Sequence, residues 1–143
     1  MNLETRKPGR ELGNRALTER IIGAAVRVHQ ELGPGFLESI YEEALSIELR
    51  LLGLCVERQK PVPIFYRGHP VGEHRLDLLI NSAVVIELKA VGALENIHFA
   101  IVRSYLKALG LTDALLLNFA ATRLIVKRVG REYHPHKNEA IIL

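Results

Sequence analysis

The chain has 143 residues, of which 48% are hydrophobic and 24% charged, a composition typical of a soluble globular domain. Its single cysteine, Cys55, excludes an internal disulfide and a cysteine-rich zinc site. No run of eighteen apolar residues predicts a membrane span, and residues 1–15 lack the apolar core of a secretory signal, so we expect a cytoplasmic protein. The formal net charge of +3 permits binding to a phosphate backbone but does not argue strongly for it.

The first part of the chain predicts an arm followed by two helices. Residues 1–16 are polar and show no apolar periodicity, so we expect a flexible N-terminal arm. Thr18 is a suitable N-cap for a helix that ends at the Gly33–Gly35 turn. A second helix is predicted over residues 37–52, where apolar side chains recur on one broad face and Gly53 follows.

Strands follow these helices, because the chain changes to short runs of apolar and branched residues. Residues 54–57 and 62–66 form two extended runs, which two prolines mark as an edge or a bend. Longer strands are predicted over residues 74–80 and 83–89, and Asn81–Ser82 joins them.

A helix and two more strands complete the predicted order α-α-β-β-β-α-β-β. The helix covers residues 95–109, and the strands cover residues 114–119 and 124–129. This order predicts an α/β fold in which helices flank a mixed β-sheet, with one domain over residues 17–130 and a C-terminal tail over residues 131–143. The predicted inward side of this helix comprises Ile97, Ala100, Ile101, Ser104, Tyr105 and Ala108.

Two neighbouring strands carry charges on faces that would otherwise suit a protein core. Side chains alternate along a strand, so Glu87 and Lys89 share one face of the later strand. The same alternation separates Asp77 from the apolar face of the earlier strand. Burying unpaired charge costs on the order of several kcal/mol, so these charges indicate a functional site. The alternative is a set of exposed edge-strand charges that block aggregation. The apolar face of the earlier strand comprises Leu76, Leu78 and Ile80.

The register of the hairpin between these strands decides whether Asp77 and Glu87 can meet. A hairpin that pairs Ile80 with Val84 leaves a loop at residues 81–83 and places the two acids opposite each other on one face. A regular two-residue turn would put them on opposite faces. We therefore predict the three-residue loop or a compensating bulge.

The segment Gly35-Phe36-Leu37-Glu38-Ser39-Ile40-Tyr41 resembles the pattern that names the GxxExxY protein family, a bacterial and archaeal group within the PD-(D/E)XK nuclease superfamily. The resemblance extends from the Leu32–Gly35 turn through Asp77 and Glu87–Lys89 to Leu117–Phe119, and it covers roughly residues 18–129. It implies a restriction-endonuclease-like α/β core with a divalent metal held by carboxylates.

The resemblance and carboxylate chemistry together nominate the catalytic residues. Asp77 and Glu87 are hard oxygen ligands suited to Mg²⁺ or Mn²⁺, and the resemblance implies the main-chain carbonyl of Leu88 as a further metal ligand. Lys89 would orient the attacking water and offset negative charge. Glu38, early in the second helix, would act on the metal directly or through a water. The alternative for Glu38 is a solvated carboxylate favoured by the helix dipole.

Three further side chains, Tyr41, Arg75 and Tyr105, are candidates for substrate binding. Tyr41 could bind a carboxylate or phosphate, although such a tyrosine is more often a core residue with a satisfied hydroxyl. Arg75 shares the predicted face of Asp77 and could contact phosphate or form a structural ion pair. One departure from the family pattern is Ile101, which stands where relatives often carry a glutamine four residues before a tyrosine, here Tyr105.

These features predict a Mg²⁺- or Mn²⁺-dependent nuclease that hydrolyses phosphodiester bonds, most simply in DNA. Its partners would be nucleic acid and, as a further candidate, a second copy of the chain, with no membrane association. The alternative is a catalytically inactive nuclease-fold module that binds nucleic acid or protein. Ile101 and the small net charge favour this alternative, whereas the intact acidic set disfavours it.

Overall fold

The structure is a computed structural model that describes residues 9–132 and 141–142. Three helices and six strands follow one another along the described part of the chain. They are α1 (Gly9–Leu32), α2 (Glu38–Leu51), β1 (Val56–Tyr66), β2 (His69–Ile80), β3 (Val84–Lys89), α3 (Asn96–Leu109), β4 (Asp113–Asn118), β5 (Ile125–Gly130) and β6 (Ile141–Ile142).

The strands form one mixed sheet in the order β1-β2-β3-β4-β5-β6. β3 and β4 are parallel, and the other neighbouring pairs are antiparallel. A parallel pair needs a crossover connection, which α3 supplies between these two strands. This arrangement confirms the predicted α/β class, with the restriction-endonuclease-like order of helices and strands, and β6 extends the sheet at one edge.

Two apolar layers hold the helices against opposite faces of the sheet. On one face α1 and α2 pack on the strands through a cluster that includes Leu45, Ile86 and Leu117. On the other face α3 packs through Val102 against Leu116. All five side chains are fully buried. Because β3 and β4 are covered on both faces, five of the six residues in each strand are buried.

The N-terminal arm is shorter than predicted. α1 already includes residues 9–16 of the predicted arm, while residues 1–8 lie outside the described residues. No proline follows Pro8 in this segment, and the side-chain amide of Asn14 donates a hydrogen bond to the carboxylate of Asp113 at 2.7 Å. A contact with β4 therefore stabilises a helical start that the apolar pattern does not reveal.

Two segments predicted as interrupted or irregular contribute strands. The two short runs at residues 54–57 and 62–66 belong largely to the single strand β1, which continues through both prolines at the edge of the sheet. The C-terminal tail contributes β6, which pairs with β5, while residues 133–140 and Leu143 lie outside the described residues. Cys55, which immediately precedes β1, is exposed and is not a core residue.

The alternation of side chains along β2 breaks at Asp77. Leu78 and Ile80 pack with α1 and α2, as the pattern predicts, but Leu76 packs in the α3 layer. The register of β1 and β2 places Gln59 opposite Asp77, and Gln59 has a positive φ of 52°. The prediction of one uniform apolar face is therefore wrong, because this backbone irregularity changes the face at the position of the acid.

The buried sides of two helices also differ from the predicted ones. The apolar residues of α2 fall on two sides, since Tyr41 and Leu45 are fully buried whereas Leu51 is 77% exposed. In α3 the buried residues are Phe99, Val102, Tyr105 and Leu106. Ile97, Ala100 and Ala108, which were predicted to face inward, are exposed, because the side of α3 that carries Phe99, Val102 and Leu106 packs on the sheet.

Candidate active site

The hairpin between β2 and β3 sets the register of the two strand acids. Ile80 pairs with Val84 and Leu78 with Ile86, so residues 81–83 form the loop. The first two loop residues have φ values of 53°, and the N–H of the third donates to the carbonyl of Ile80 at 2.9 Å. The predicted three-residue loop is confirmed.

Beyond the pair Leu78–Ile86, carboxylates replace the main-chain hydrogen bonds between β2 and β3. The main-chain N–H of Asp77 donates to Oε1 of Glu87 at 2.7 Å. The main-chain N–H of Leu88 donates to Oδ2 of Asp77 at 2.9 Å. Each acid therefore binds the backbone of the opposite strand, and the two carboxylates share the gap where the strands separate.

Burial and the negative charge of neighbouring carboxylates favour the protonated forms of these two acids. Glu87 is only 5% exposed, and burial, followed by the negative charge of Asp77, raises the pKa of Glu87 to about 8. Burial is also the largest cause of the raised pKa of Asp77, which the hydrogen bond from Leu88 and the charge of Lys89 partly offset. Ionising both acids therefore costs free energy, and a bound cation lowers this cost by neutralising their charge.

Leu88 and Lys89 complete the Glu-x-Lys element of β3. In a strand the N–H and C=O of one residue point to the same side, and successive residues alternate. Since the N–H of Leu88 binds Asp77, the carbonyl of Leu88 also faces the gap. The carbonyl of Lys89 points the other way and accepts a hydrogen bond from the N–H of Phe119 at 2.8 Å. Three oxygen donors, two of them carboxylates, therefore face one gap.

The ammonium of Lys89 places a positive charge beside the two acids. Its charge lowers the pKa of both Asp77 and Glu87, so it lies within electrostatic reach of the two acids. Within the described part of the chain it forms no ion pair closer than 4.0 Å. The ammonium can therefore hydrogen-bond a ligand without first breaking an ion pair of the fold.

Glu38 begins α2 and reaches the end of β3. Its Oε2 accepts a hydrogen bond from the main-chain N–H of Ala90 at 3.2 Å, one residue beyond Lys89. The charge of Glu38 is a smaller cause of the raised pKa of Glu87. The carboxylate thus faces the acid pair, which is the direction predicted for it, instead of pointing away from the strands.

Two residues that the sequence analysis did not select, Glu42 and Gln59, complete the polar cluster. Glu42 lies one helical turn after Glu38 and is 7% exposed, and its Oε1 accepts a hydrogen bond from the amide of Gln59 at 2.9 Å. The same amide nitrogen lies 3.4 Å from Oδ1 of Asp77. The spacing from Glu38 is a signal for Glu42 in the sequence, whereas Gln59 reaches Asp77 only through strand pairing.

Arg58 and the backbone of Gln59 hold this cluster in place from β1. The guanidinium of Arg58 lies 3.1 Å from Glu42 and 2.7 Å from Glu43, and these contacts raise the pKa of Arg58 although burial opposes them. The φ of 52° at Gln59 is left-handed, a conformation that costs a non-glycine residue about 1 kcal/mol. Such strain persists where surrounding contacts fix it, and it is concentrated at functional sites.

Tyr105 and Arg75 lie on the α3 side of the acid pair. The hydroxyl of Tyr105 donates to the main-chain carbonyl of Arg75 at 3.1 Å. Burial, and then the charges of Glu87 and Asp77, raise the pKa of Tyr105, so the hydroxyl stays protonated beside both acids. The exposed guanidinium of Arg75 donates to the carbonyl of Gln59 at 3.0 Å and lies 3.9 Å from the carboxylate of Glu73, so Arg75 also forms the structural ion pair that was its alternative role.

Tyr41 belongs to the core and not to the acid pair. Its side chain is fully buried, and its hydroxyl donates to the carbonyl of Gly33 at 2.6 Å and accepts from the N–H of Phe36 at 3.2 Å. Its ring stacks on Phe119 with a centroid separation of 4.5 Å. The prediction that Tyr41 binds substrate is wrong, because the hydroxyl is already used to fix the turn that precedes Glu38.

Ile101 is partly buried and packs against the α3 layer. Its side chain has no donor or acceptor, so it cannot hold a substrate oxygen or a water as a glutamine would. Gln59 places an amide on the acid pair from β1, next to Asp77. The site therefore contains one amide, but it comes from a strand and not from α3.

The oxygen atoms in the gap suit a hard divalent cation that takes only some of its ligands from the protein. Among the described residues, no three acidic, histidine or cysteine side chains are grouped so that they could hold a metal ion. The donors in the gap are the carboxylates of Asp77 and Glu87 and the carbonyl of Leu88, all of them oxygen. Mg²⁺ commonly binds proteins through one or two carboxylates and keeps waters or substrate phosphates in its other positions.

Comparison with known proteins identifies a family for this chain. A family model of the PD-(D/E)XK nuclease superfamily matches residues 15–129, a range that contains Glu38, Asp77, Glu87 and Lys89. No curated protein and no solved structure matches the chain significantly. None of the helices in the described part of the chain combines the length and apolarity needed to cross a membrane.

Proposed function

The chain belongs to the PD-(D/E)XK nuclease superfamily, and we propose that it is a divalent-metal-dependent nuclease of the GxxExxY group that hydrolyses phosphodiester bonds, in the first instance in DNA. The observation that carries the proposal is the pairing of Asp77 and Glu87 across the gap between β2 and β3. Structural ion pairs on a sheet surface do not require two adjoining acids, one buried and one partly buried, whose pKa values are both raised.

Asp77, Glu87 and the carbonyl of Leu88 would hold Mg²⁺ or Mn²⁺. When bound, the cation supplies Lewis-acid stabilisation of the phosphate charge and activation of a water. The hydrogen bonds from the main-chain N–H groups of Asp77 and Leu88 fix the carboxylate orientations in advance. Glu38, which binds the N–H of Ala90 nearby, is placed to accept a hydrogen bond from a water in the same gap.

Lys89 acts on the substrate in this proposal. Its ammonium lies beside the acid pair and forms no ion pair with a described residue, so it can donate to the attacking water or to a phosphate oxygen. Both actions lower the energy of a transition state that carries extra negative charge on oxygen.

The substrate would approach from the side of Gln59 and Arg75. Both residues are exposed next to Asp77, and an amide and a guanidinium are suitable donors to phosphate oxygens. Tyr105 would orient Arg75, because its hydroxyl donates a hydrogen bond to the main-chain carbonyl of Arg75. The small net charge of +3 suggests that these few contacts, and not a large basic surface, position the nucleic acid.

A screen of single- and double-stranded DNA and RNA with Mn²⁺, Mg²⁺ or EDTA tests the proposal. We expect cleavage that requires the divalent ion and is lost in Asp77→Asn and Glu87→Gln. The exposed substitution Glu31→Gln on α1 is the matched control for loss of one acid. Absence of cleavage of every substrate by the wild-type protein would contradict the proposal.

A second candidate is a nuclease-fold module that binds nucleic acid or protein without cleaving. Ile101 favours it, because it removes the glutamine that relatives often carry in this helix. An inactive wild-type protein whose melting temperature still rises with Mn²⁺ would support this candidate. In that case Ile101→Gln, at a partly buried position facing the α3 layer, is the substitution expected to restore cleavage.

A further inference from the structure

The outward side of α2 carries a stripe of apolar side chains, most of which are exposed in the described part of the chain. Leu37 is 72% exposed, Ile47 51% and Leu51 77%. The opposite side of the helix, around Leu45 and Leu49, is fully buried and already packs in the core. A contiguous exposed apolar surface of this kind marks an interaction site. The stripe consists of Leu37, the residue just before α2, and Ile40, Ala44, Ile47 and Leu51, of which Ala44 is partly buried and also packs against the core.

The spacing of the stripe fits a second helix. Its members are separated by three, four, three and four residues, which is the alternation of the a and d positions in a heptad repeat. Such positions form a straight seam along one side of a helix and pack against a facing helix at a small crossing angle. Ala44, the smallest member, lies at the middle of the stripe and allows the facing helix to approach closely.

The charges beside the stripe fit the same helix from a second copy in antiparallel orientation. In that orientation Ala44 faces Ile47 of the second copy, since an a position packs against a d position. Glu43 and Arg50 lie on one flank of the stripe, so Glu43 of each copy then faces Arg50 of the other. Two-fold symmetry forms this ion pair twice.

Both charged groups are exposed to solvent beside the stripe. The side chain of Glu43 is 59% exposed and shares its partner Arg58 with Glu42. Arg50 is exposed and forms no ion pair with a residue in the described ranges. A parallel pair of helices would instead place Glu43 opposite Glu48 of the other copy, and like charges at flanking positions oppose association.

We propose that the chain forms a two-fold symmetric dimer through antiparallel pairing of α2. The proposal does not rest on the nuclease function, because the stripe faces away from the buried side of α2 that bears Glu42. One helix pair buries less than the roughly 1,200–2,000 Å² of a standard interface, so we expect a dissociation constant on the order of micromolar.

Sedimentation velocity of the full chain over a wide concentration range tests this dimer. We expect a monomer–dimer equilibrium that Ile47→Glu shifts to monomer at every concentration. Val71→Glu is the matched control, since Val71 is 63% exposed in β2, away from the stripe, and should leave the equilibrium unchanged. Arg50→Glu should weaken association at least about tenfold, because Glu43 of each copy would then face a carboxylate of the other.

Two results would overturn the proposal. A wild-type protein that stays monomeric at all concentrations would mean that the stripe is covered by another segment of the chain or by a different partner. A dimer that persists in Ile47→Glu would mean that the copies associate through another surface. Circular dichroism of each variant checks that α2 is still folded, which is expected because Ile47 and Arg50 are exposed.

Discussion

The main-chain N–H of Asp77 donates a 2.7 Å hydrogen bond to the carboxylate of Glu87, so each member of the acid pair helps to fix the strand that carries the other. Replacing either acid by alanine would leave a partly buried N–H without its acceptor, at a cost of about 1–3 kcal/mol. Asparagine and glutamine keep an acceptor oxygen at the same place. These substitutions therefore remove the negative charge of an acid while they keep the hydrogen bond that it accepts from the opposite strand.

Metal binding should stabilise the protein through this pair. We expect Mn²⁺ or Mg²⁺ to raise the melting temperature, with a gain of about 2.7 kcal/mol at a hundred times the dissociation constant. Asp77→Asn should lose this shift and should be at least as stable as the wild type in EDTA, because one of two repelling charges is gone. Differential scanning calorimetry measures both effects. An undiminished metal shift in Asp77→Asn would place the ion elsewhere.

The stability of the metal-free protein should fall as the pH rises. Burial and mutual repulsion raise the pKa of Glu87 to about 8, above the value of about 4.3 for an unfolded glutamate. Within this window the folded state binds more protons than the unfolded state, so the free energy of unfolding decreases with pH. Urea unfolding in EDTA at several pH values measures the slope.

Glu87→Gln provides the control for this pH dependence. It removes one of the two titrating acids and should make the slope shallower up to about pH 8, while Asp77, whose pKa is also raised, keeps part of the slope at lower pH. Glu31→Gln, an exposed substitution on α1, should leave the slope as it is. A wild-type stability that rises through this range, or a slope that Glu87→Gln leaves intact, would show that Glu87 does not hold its proton more tightly in the folded state.

Gln59 should support activity at a cost in stability. Gln59→Gly suits the positive φ of 52° and should raise the free energy of unfolding by up to about 1 kcal/mol. Loss of the amide beside Asp77 and Glu42 should lower the cleavage rate by about tenfold. Ser82→Gly, at an exposed position with a φ of 53°, is the matched control. Equal activities of the two glycine variants would remove Gln59 from the site.

Two tyrosines should respond differently to loss of their hydroxyl. Tyr41→Phe removes hydrogen bonds to Gly33 and Phe36 in the core, so we expect a loss of about 1–3 kcal/mol of stability with unchanged activity per folded molecule. Tyr105→Phe releases the carbonyl of Arg75 and should raise KM for nucleic acid by several-fold. Denaturant titration measures the stability of both variants, and steady-state kinetics measures their KM. A raised KM in Tyr41→Phe with unchanged stability, or a loss of stability in Tyr105→Phe with unchanged KM, would contradict these roles.

Much of the architecture follows from local sequence patterns. The even separation of Asp77 and Glu87, together with the requirement that both face one site, predicts the three-residue hairpin loop that the structure contains. The continuous apolar run of β4 predicts a strand buried on both faces. These features depend on the period of side chains along a strand, which is the same in every sheet.

The features that the sequence does not reveal depend on contacts between distant segments. The amide of Gln59 reaches Asp77 only because β1 pairs with β2. The left-handed backbone at this position could not be predicted, because the residue is not a glycine. The apolar positions of α2 predict one broad face, but only the packing on α1 and the sheet shows that Leu45 is buried and Leu51 is not. Tertiary packing decides which members of an apolar set become core.

Lys89→Met tests the central claim most directly, because methionine keeps much of the side-chain volume and removes only the ammonium. The measurement is the rate of DNA cleavage in Mn²⁺ by wild type and variant purified in parallel, with the Mn²⁺-induced shift in melting temperature recorded on the same samples. We predict that the variant keeps the shift and loses at least about 10²-fold in rate. A variant that cleaves as fast as the wild type, or a wild type that does not cleave, would contradict the account.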